Sequence, residues 1–264
     1  MITTSIRTKF VYTNGSESMH NPTLRVLQIL NLLCQNIQSM RLSDISRELN
    51  MPKSTLLPIL QTMVQQQYIR KDEADRYCPG YALLDLGAAA RTVFSESDHV
   101  RENLKSLVEK FNETCYFGVP EEGYVRYVEK IDSPQPLRML TTIGHRLPAY
   151  ATGIGKALLL DKTKEELKKM YPSAPEKLTK NTITDMDILF SQLQNAKQLG
   201  YTWEEEESTE HIRCFAVPVR KQGRIVGAVS IAIPVFRFCK EQENSIIKAL
   251  KETARKIEKG YQLL

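Results

Sequence analysis

Several features that would place the chain in other protein classes are scarce or missing. Its cysteines, Cys34, Cys78, Cys115, Cys214 and Cys239, are odd in number, widely scattered and form no CxxC pair. That argues against a disulfide scaffold and suits free thiols in a reducing cytoplasm. No apolar run is long enough to span a bilayer, so no membrane partner is expected. The N-terminus lacks a hydrophobic signal core, and Met1 to Ser18 is polar and aperiodic. Residues 1–19 therefore read as a disordered tail. There is no internal repeat and no low-complexity segment. The charge excess is small: +5 over 264 residues permits nucleic-acid binding without requiring it. What remains, 42% hydrophobic and 25% charged residues, is ordinary soluble material sufficient for two modest domains.

The most informative stretch is Arg41 to Gln66, RLSDISRELNMPKSTLLPILQTMVQQ. It predicts two helices joined by a tight turn. Ser43 is placed to cap the first, whose apolar positions are Leu42, Ile45 and Leu49. Asn50 ends it, because asparagine tolerates a left-handed backbone. Met51 packs the turn, and Pro52 starts the next helix with φ already set. Lys53, Ser54 and Thr55 fall on the first turn of the second helix, and Leu56, Ile59, Leu60 and Met63 form its buried stripe. This is helix-turn-helix spacing, with the second helix as the element for a DNA major groove. A plain helical hairpin has the same local pattern, so the flanks decide. Pro22 to Gln35 predicts an earlier helix with Leu24, Leu27, Ile29, Leu30 and Leu33 on its apolar face. After the pair, Tyr68 to Lys71 and Arg76 to Pro79 bracket an acidic turn, Asp72 to Asp75, as a β-hairpin would. Three helices and a small hairpin make a winged helix. Arg76 and Tyr77 at the hairpin base are placed to meet phosphate.

Taken in order, NPTLRVLQILNLL, LSDISRELNMPKSTL, YIRKDEADRYCPGYALLDLG and GHRLPAYATGIGKALL resemble the IclR family of bacterial transcription regulators, from about Asn21 to the C-terminal end. The resemblance implies an α+β protein. An N-terminal winged helix-turn-helix domain (20–82) is followed by a linker helix (83–96) that contributes to dimer contacts. A GAF-like or profilin-like effector-binding domain (97–264) follows. It implies operator DNA, a small-molecule effector and a homodimer, with a tetramer on DNA as a further step. No cofactor is expected. At class level the effector is a small carboxylate or a sugar acid.

The second half supports that plan. Tyr81 to Phe94 predicts a helix with Leu83, Leu84, Leu86 and Val93 on its apolar side, and Ser95 to Asp98 a polar break. His99 to Asn112 predicts another helix. Thr114 to Val119 and Tyr124 to Ile131 alternate as a hairpin around a Pro120–Gly123 turn. Leu137 to Thr141 predicts a short strand, Gly144 to Pro148 a loop, and Thr152 the cap of a helix through Leu160. Helices follow at Thr163 to Tyr171 and Asp185 to Leu199, then strands at Tyr201 to Glu206, Ile212 to Lys221 and Arg224 to Ile233, then a last helix from Lys240 to Tyr261. Strands without regular βαβ alternation argue for an antiparallel sheet.

Candidate binding groups can be named from the residues. Gly153 and Ile154 begin the capped helix, where free N–H groups favour an anion and glycine admits close approach; simple helix–sheet packing is the alternative. Cys214 and Ser230 are small polar groups inside apolar strands, as a polar pocket floor needs, or as a backbone-satisfied serine would look. The family resemblance implies an effector set of Leu147, Gly153, Ile154, Glu204, Ile212, Cys214, Ser230 and Ala232. It departs at Glu204, where aspartate is more usual, and at Ala232, where some members carry a serine. In the acidic run Glu204 to Glu207, one residue is expected to face the pocket and the others water, since strand side chains alternate. The DNA helix departs too: Leu57 and Pro58 stand where polar or basic residues are common. Pro58 removes an N–H and predicts a local bend. Base reading then rests on Ser54, Thr55 and neighbours including Leu57, with Lys53 on phosphate. His211 and Cys214, three apart on a strand, face opposite sides and make a poor catalytic pair. With Cys239 they lack metal-ligand spacing, so neither an enzyme nor a metal site is expected. The competing reading is a metabolite-binding protein whose winged helix contacts protein.

Overall fold

The computed structural model describes residues 20–262 apart from 37, 95–96 and 137–140. The predicted tail 1–19, most of the strand expected at 137–141 and part of the break at 95–98 lie outside the described residues. The chain divides into two compact units, 1–93 and 94–264.

In the first unit, α1 (Asn21–Gln35), α2 (Leu42–Leu49) and α3 (Lys53–Gln65) precede a hairpin of β1 (Ile69–Lys71) and β2 (Tyr77–Pro79). Ile29, Leu33, Ile45, Leu56, Leu60, Met63 and Ile69 form one core with Tyr77. Leu27 is not part of the buried face and stands 48% exposed. The α2–α3 turn follows expectation at Asn50, whose φ of 49° and ψ of 45° are left-handed. The turn is closed by the Met51 N–H on the Ser46 carbonyl at 3.1 Å and by the Ser46 hydroxyl on the Met51 carbonyl at 2.6 Å. Ser43 is not the cap. The helix begins two residues earlier with Arg41 at the cap position, whose N–H is taken by the Asp44 carboxylate at 3.3 Å. Pro52 is likewise the cap of α3 rather than its first residue. α3 continues past Pro58, and the Thr62 hydroxyl donates to the Pro58 carbonyl at 3.0 Å.

α4 (Ala82–Phe94) follows the hairpin. Its Leu84 and Leu86 are 69% and 52% exposed in the single chain, and Tyr81 just before it is 65% exposed.

The second unit starts with α5 (Ser97–Phe111) and holds a six-stranded sheet in the order β5-β4-β3-β8-β7-β6. These strands are β3 (Thr114–Glu121), β4 (Tyr124–Ile131), β5 (Arg146–Pro148), β6 (Thr202–Glu205), β7 (Ile212–Lys221) and β8 (Arg224–Pro234). Among the described residues every pairing in this sheet is antiparallel. The loop expected at 144–148 is in part β5, an edge strand pairing Leu147 with Val125. Side chains alternate across the sheet. One face carries Phe117, Phe215, Val217, Val229 and Ile231 and packs on α5 and on α9 (Glu243–Gln262). The other face carries Tyr116, Cys214, Ala216, Ala228 and Ala232 and packs on α6 (Gly153–Leu158). Behind α6, α7 (Lys164–Met170) and α8 (Met186–Leu199) close a third cluster around Leu160, Leu167, Leu189 and Leu193.

Candidate nucleic-acid interface and effector site

The outer face of the first unit is built on α3. Burial of Leu56, Leu60 and Met63 turns Lys53, Ser54, Leu57, Pro58 and Gln61 to the surface, with Thr55 half-buried. Lys53, Ser54 and Thr55 occupy the first turn, where the helix dipole and free N–H groups favour phosphate. Leu57 is 41% exposed, enough to offer a methyl contact. Gln61, one turn on, is the amide that the sequence reading did not single out. Glutamine pairs bidentately with adenine, so the i, i+4 spacing from Leu57 was a usable signal. Ser43 is exposed on the second residue of α2.

The wing is organised by Asp72. Its Oδ1 accepts the N–H groups of Ala74 and Arg76, each at 2.9 Å, and its Oδ2 accepts the Ser39 hydroxyl from the α1–α2 connection. These hydrogen bonds, Ser39 first, hold the Asp72 carboxyl below its ordinary range. Arg76 is half-buried where the turn enters β2. Tyr77 is not a surface residue. It is 3% exposed because the Met40–Tyr77 bridge, with N–H···O distances of 2.9 and 2.7 Å, turns its ring into the core. It leaves the list of DNA contacts.

In the second unit, antiparallel register sets out in rows the strand residues expected to face an effector and their neighbours. Glu204, Cys214, Ala232 and Thr114 lie side by side across β6, β7, β8 and β3. Thr202, Ala216, Ser230 and Tyr116 form the next row. Cys214, Ala216, Ser230 and Ala232 make the middle of these rows a floor of small side chains on which α6 packs closely. Thr152 caps α6 by accepting the Gly155 N–H at 3.0 Å. Gly153 is required by contact: a Cβ there would stand 3.0 Å from the Cys214 Cβ. Leu147 from β5, Ile154 from α6, and Ile212, Cys214 and Ala232 from the strands belong to one buried cluster. The structure therefore brings Leu147, Gly153, Ile154, Glu204, Ile212, Cys214, Ser230 and Ala232 together.

Burial, reinforced by the Glu204 carboxyl, pushes the Cys214 thiol well up, so it is neutral. His211, at left-handed φ of 64°, is exposed and points its ring to Glu206 at 3.4 Å, not to Cys214. The expected single pocket-facing residue of the acidic run is corrected. Glu204 and Glu207 are both buried, at 0% and 5%. Glu207 lies past the end of β6, where strand alternation no longer applies, and meets the buried Lys156 ammonium at 2.5 Å. Burial lowers Lys156 and raises Glu207, while their attraction opposes both shifts.

A profile of the IclR helix-turn-helix domain matches residues 23–73, and one of the bacterial transcriptional regulator IclR C-terminal domain matches 96–259. The chain belongs to the IclR family. The HTH-type transcriptional regulator KdgR of Escherichia coli K12 is 33% identical over 246 residues, covering 90% of this chain and 92% of KdgR. The crystal structure of Thermotoga maritima IclR superposes with a TM-score of 0.75 at 26% identity, covering 91% of this chain and 98% of that one. An IclR homolog from Microbacterium hydrocarbonoxydans complexed with 4-hydroxybenzoate shares the fold, with a TM-score of 0.77 at 22% identity over 92% of this chain and 99% of the other. As an IclR-family protein the chain is a DNA-binding transcriptional regulator, not an enzyme.

The IclR effector face also holds two tyrosines absent from the sequence-derived set. Tyr116 is 2% exposed with no hydrogen-bond partner for its Oη. Tyr127 meets it edge to face at 5.0 Å between centroids. Burial pushes both phenols up, keeping them neutral donors. Their signal was register: Tyr116 faces Ser230 across β3 and β8.

Proposed function

We propose that the protein is an effector-controlled repressor of a metabolic operon that works as a homodimer and senses a small carboxylate or sugar acid. The observation that carries the effector reading is the small-residue floor of Cys214, Ala216, Ser230 and Ala232 facing the N-terminus of α6. Unpaired helix N–H groups favour an anion, and the neutral hydroxyls and thiol around them add no repulsion. The Microbacterium homolog's aromatic carboxylate is in keeping with that class. The N-terminal part of α3, with exposed Lys53, Ser54 and Leu57 and half-buried Thr55, supplies the operator contacts, joined by Ser43 and by Arg76 at the wing. The exposed apolar residues Leu84 and Leu86 of α4 support a dimer through that helix, and two recognition helices reading two half-sites supply the specificity that one lacks. The effector acts by preferring one arrangement of the DNA-binding units, and so shifts the population toward or away from the operator-competent spacing. Dimers pair into tetramers on DNA where two sites are adjacent.

The exposed Leu57 and Pro58 favour a second reading, in which the winged helix contacts protein. The test is operator binding at several salt concentrations with and without a panel of carboxylates and sugar acids. Steep loss of affinity with salt and a shift by one compound support the first reading; binding to DNA that ignores sequence supports the second.

A further inference from the structure

The acidic stretch in the effector unit holds two buried carboxylates and one buried cation, and only one carboxylate is matched. Glu207 takes the Lys156 ammonium at 2.5 Å, with side chains 7% and 1% exposed. Glu204 is fully buried. Its Oε2 accepts the Glu207 N–H at 2.8 Å, its Oε1 meets no nitrogen or oxygen partner, and the Cys214 thiol lies against the carboxyl. The titratable groups packed on it are Glu207 on its own segment, Cys214 on β7, Lys156 on α6 and Tyr127 on β4. The thiol and phenol are neutral, so Lys156 and Glu207 are the charges present and they cancel. An ionised Glu204 would be a net buried charge beside the α6 N-terminus, where it would repel an anion.

We propose that Glu204 serves the effector site as a neutral carboxylic acid: the proton sits on Oε1 and is donated in a hydrogen bond to an acceptor oxygen of the anionic effector, while the Lys156–Glu207 pair is the positioning unit that fixes Oε2. The proposal rests on the anionic-effector reading given above. The proton belongs on Oε1 because Oε2 is committed as acceptor to a backbone N–H. Burial pushes Glu204 up to about 7, so the proton is available near neutrality. Binding an anion strengthens the neutral form, and above that pH each bound anion takes up as much as one proton from solvent. Affinity therefore falls as pH rises. An ionised Glu204 accepting a hydroxyl from the effector has the opposite sign.

The test uses the full chain and two readouts. Infrared titration of wild type and Glu204→Gln between pH 5.5 and 8.5 reads the acid directly. The expected result is a protonated-carboxyl band, absent in Glu204→Gln, that disappears with a midpoint near neutral; in Lys156→Met that midpoint moves up. A midpoint in the ordinary carboxylate range, or no difference between the proteins, overturns the proposal. Calorimetric titration with 4-hydroxybenzoate and with D-galacturonate reads the ligand. For a single proton with a midpoint near 7, affinity falls roughly thirtyfold between pH 6 and 8.5. Glu204→Gln, which keeps an N–H donor and has no proton to lose, binds with flat pH dependence. Affinity that rises with pH overturns the donor role. A near-neutral infrared midpoint with no binding of either probe keeps the neutral acid and sinks both the carboxylate-effector reading and the donor role built on it.

Discussion

Replacing Lys156 by methionine removes the cation from a pair whose ammonium is 1% exposed and whose carboxylate is 7% exposed. Glu207 is then left buried with its negative charge uncompensated, beside a second carboxyl on Glu204. Breaking a buried pair from one side costs about 3–5 kcal/mol, because the desolvation of the surviving ion is no longer offset. Glu207→Leu leaves the ammonium stranded and costs about the same. The double variant removes both charges and replaces them with apolar groups of similar length, so its cost is small, roughly 0–2 kcal/mol. The coupling energy of the cycle is then several kcal/mol, well above the ~0.5 kcal/mol within which independent sites add. Trp203 is the only tryptophan and borders the same small recess as Lys156, so urea unfolding followed by its fluorescence reports on this unit by itself. Single variants that each cost less than about 1 kcal/mol, or a double variant whose cost equals their sum, would refute the reasoning, since both results belong to a solvated pair.

Further outcomes follow from the same structure. Lys53→Ala should weaken binding to all DNA sequences alike and reduce the salt slope by about one, measured by anisotropy across salt concentrations. Tyr77→Phe should leave operator affinity unchanged and Tyr77→Ala should destabilise the DNA-binding unit by about 3–5 kcal/mol, because the ring fills core and not groove; thermal melting separates the two. Gly153→Val should keep operator binding and abolish effector response, since the first added carbon already lies 3.0 Å from the Cys214 Cβ. Glu204 also sets a pH trend in stability. Its folded pKa of about 7 exceeds the usual 4.5. Its contribution is therefore fully present below about pH 4.5, declines as pH rises through 7 and is lost above it, a slope that Glu204→Gln should flatten in melts across that range.

Local chemistry made much of this architecture legible. Asn50 fixes a left-handed stop, Thr152 and Asp185 cap helices, and alternation in 114–131 and 212–233 gives hairpins and hence an antiparallel sheet. The features that were missed depend on partners distant in sequence. Tyr77 sits in a strand too short to show its two faces, and a bridge to Met40 decides which way it points. β5 is three residues of edge strand defined by its pairing with β4, without a period of its own. Glu207 follows β6 where Glu206 takes a positive φ of 55°, so alternation could not place it, and its cation comes from α6. Ser43 failed as a cap because the carboxylate of Asp44 reaches back to the Arg41 N–H and starts the helix two residues early. The residues expected to bind an effector came by another route: motif resemblance named them, and sheet register accounts for why they lie together.

The most direct test is fluorescence anisotropy of the purified protein on DNA from upstream of its own gene and its neighbours, with and without a panel of small carboxylates and sugar acids. The account predicts tight binding that resists competitor DNA, weakens steeply with salt and is shifted by one of the compounds. Weak binding that any competitor DNA displaces equally would contradict it.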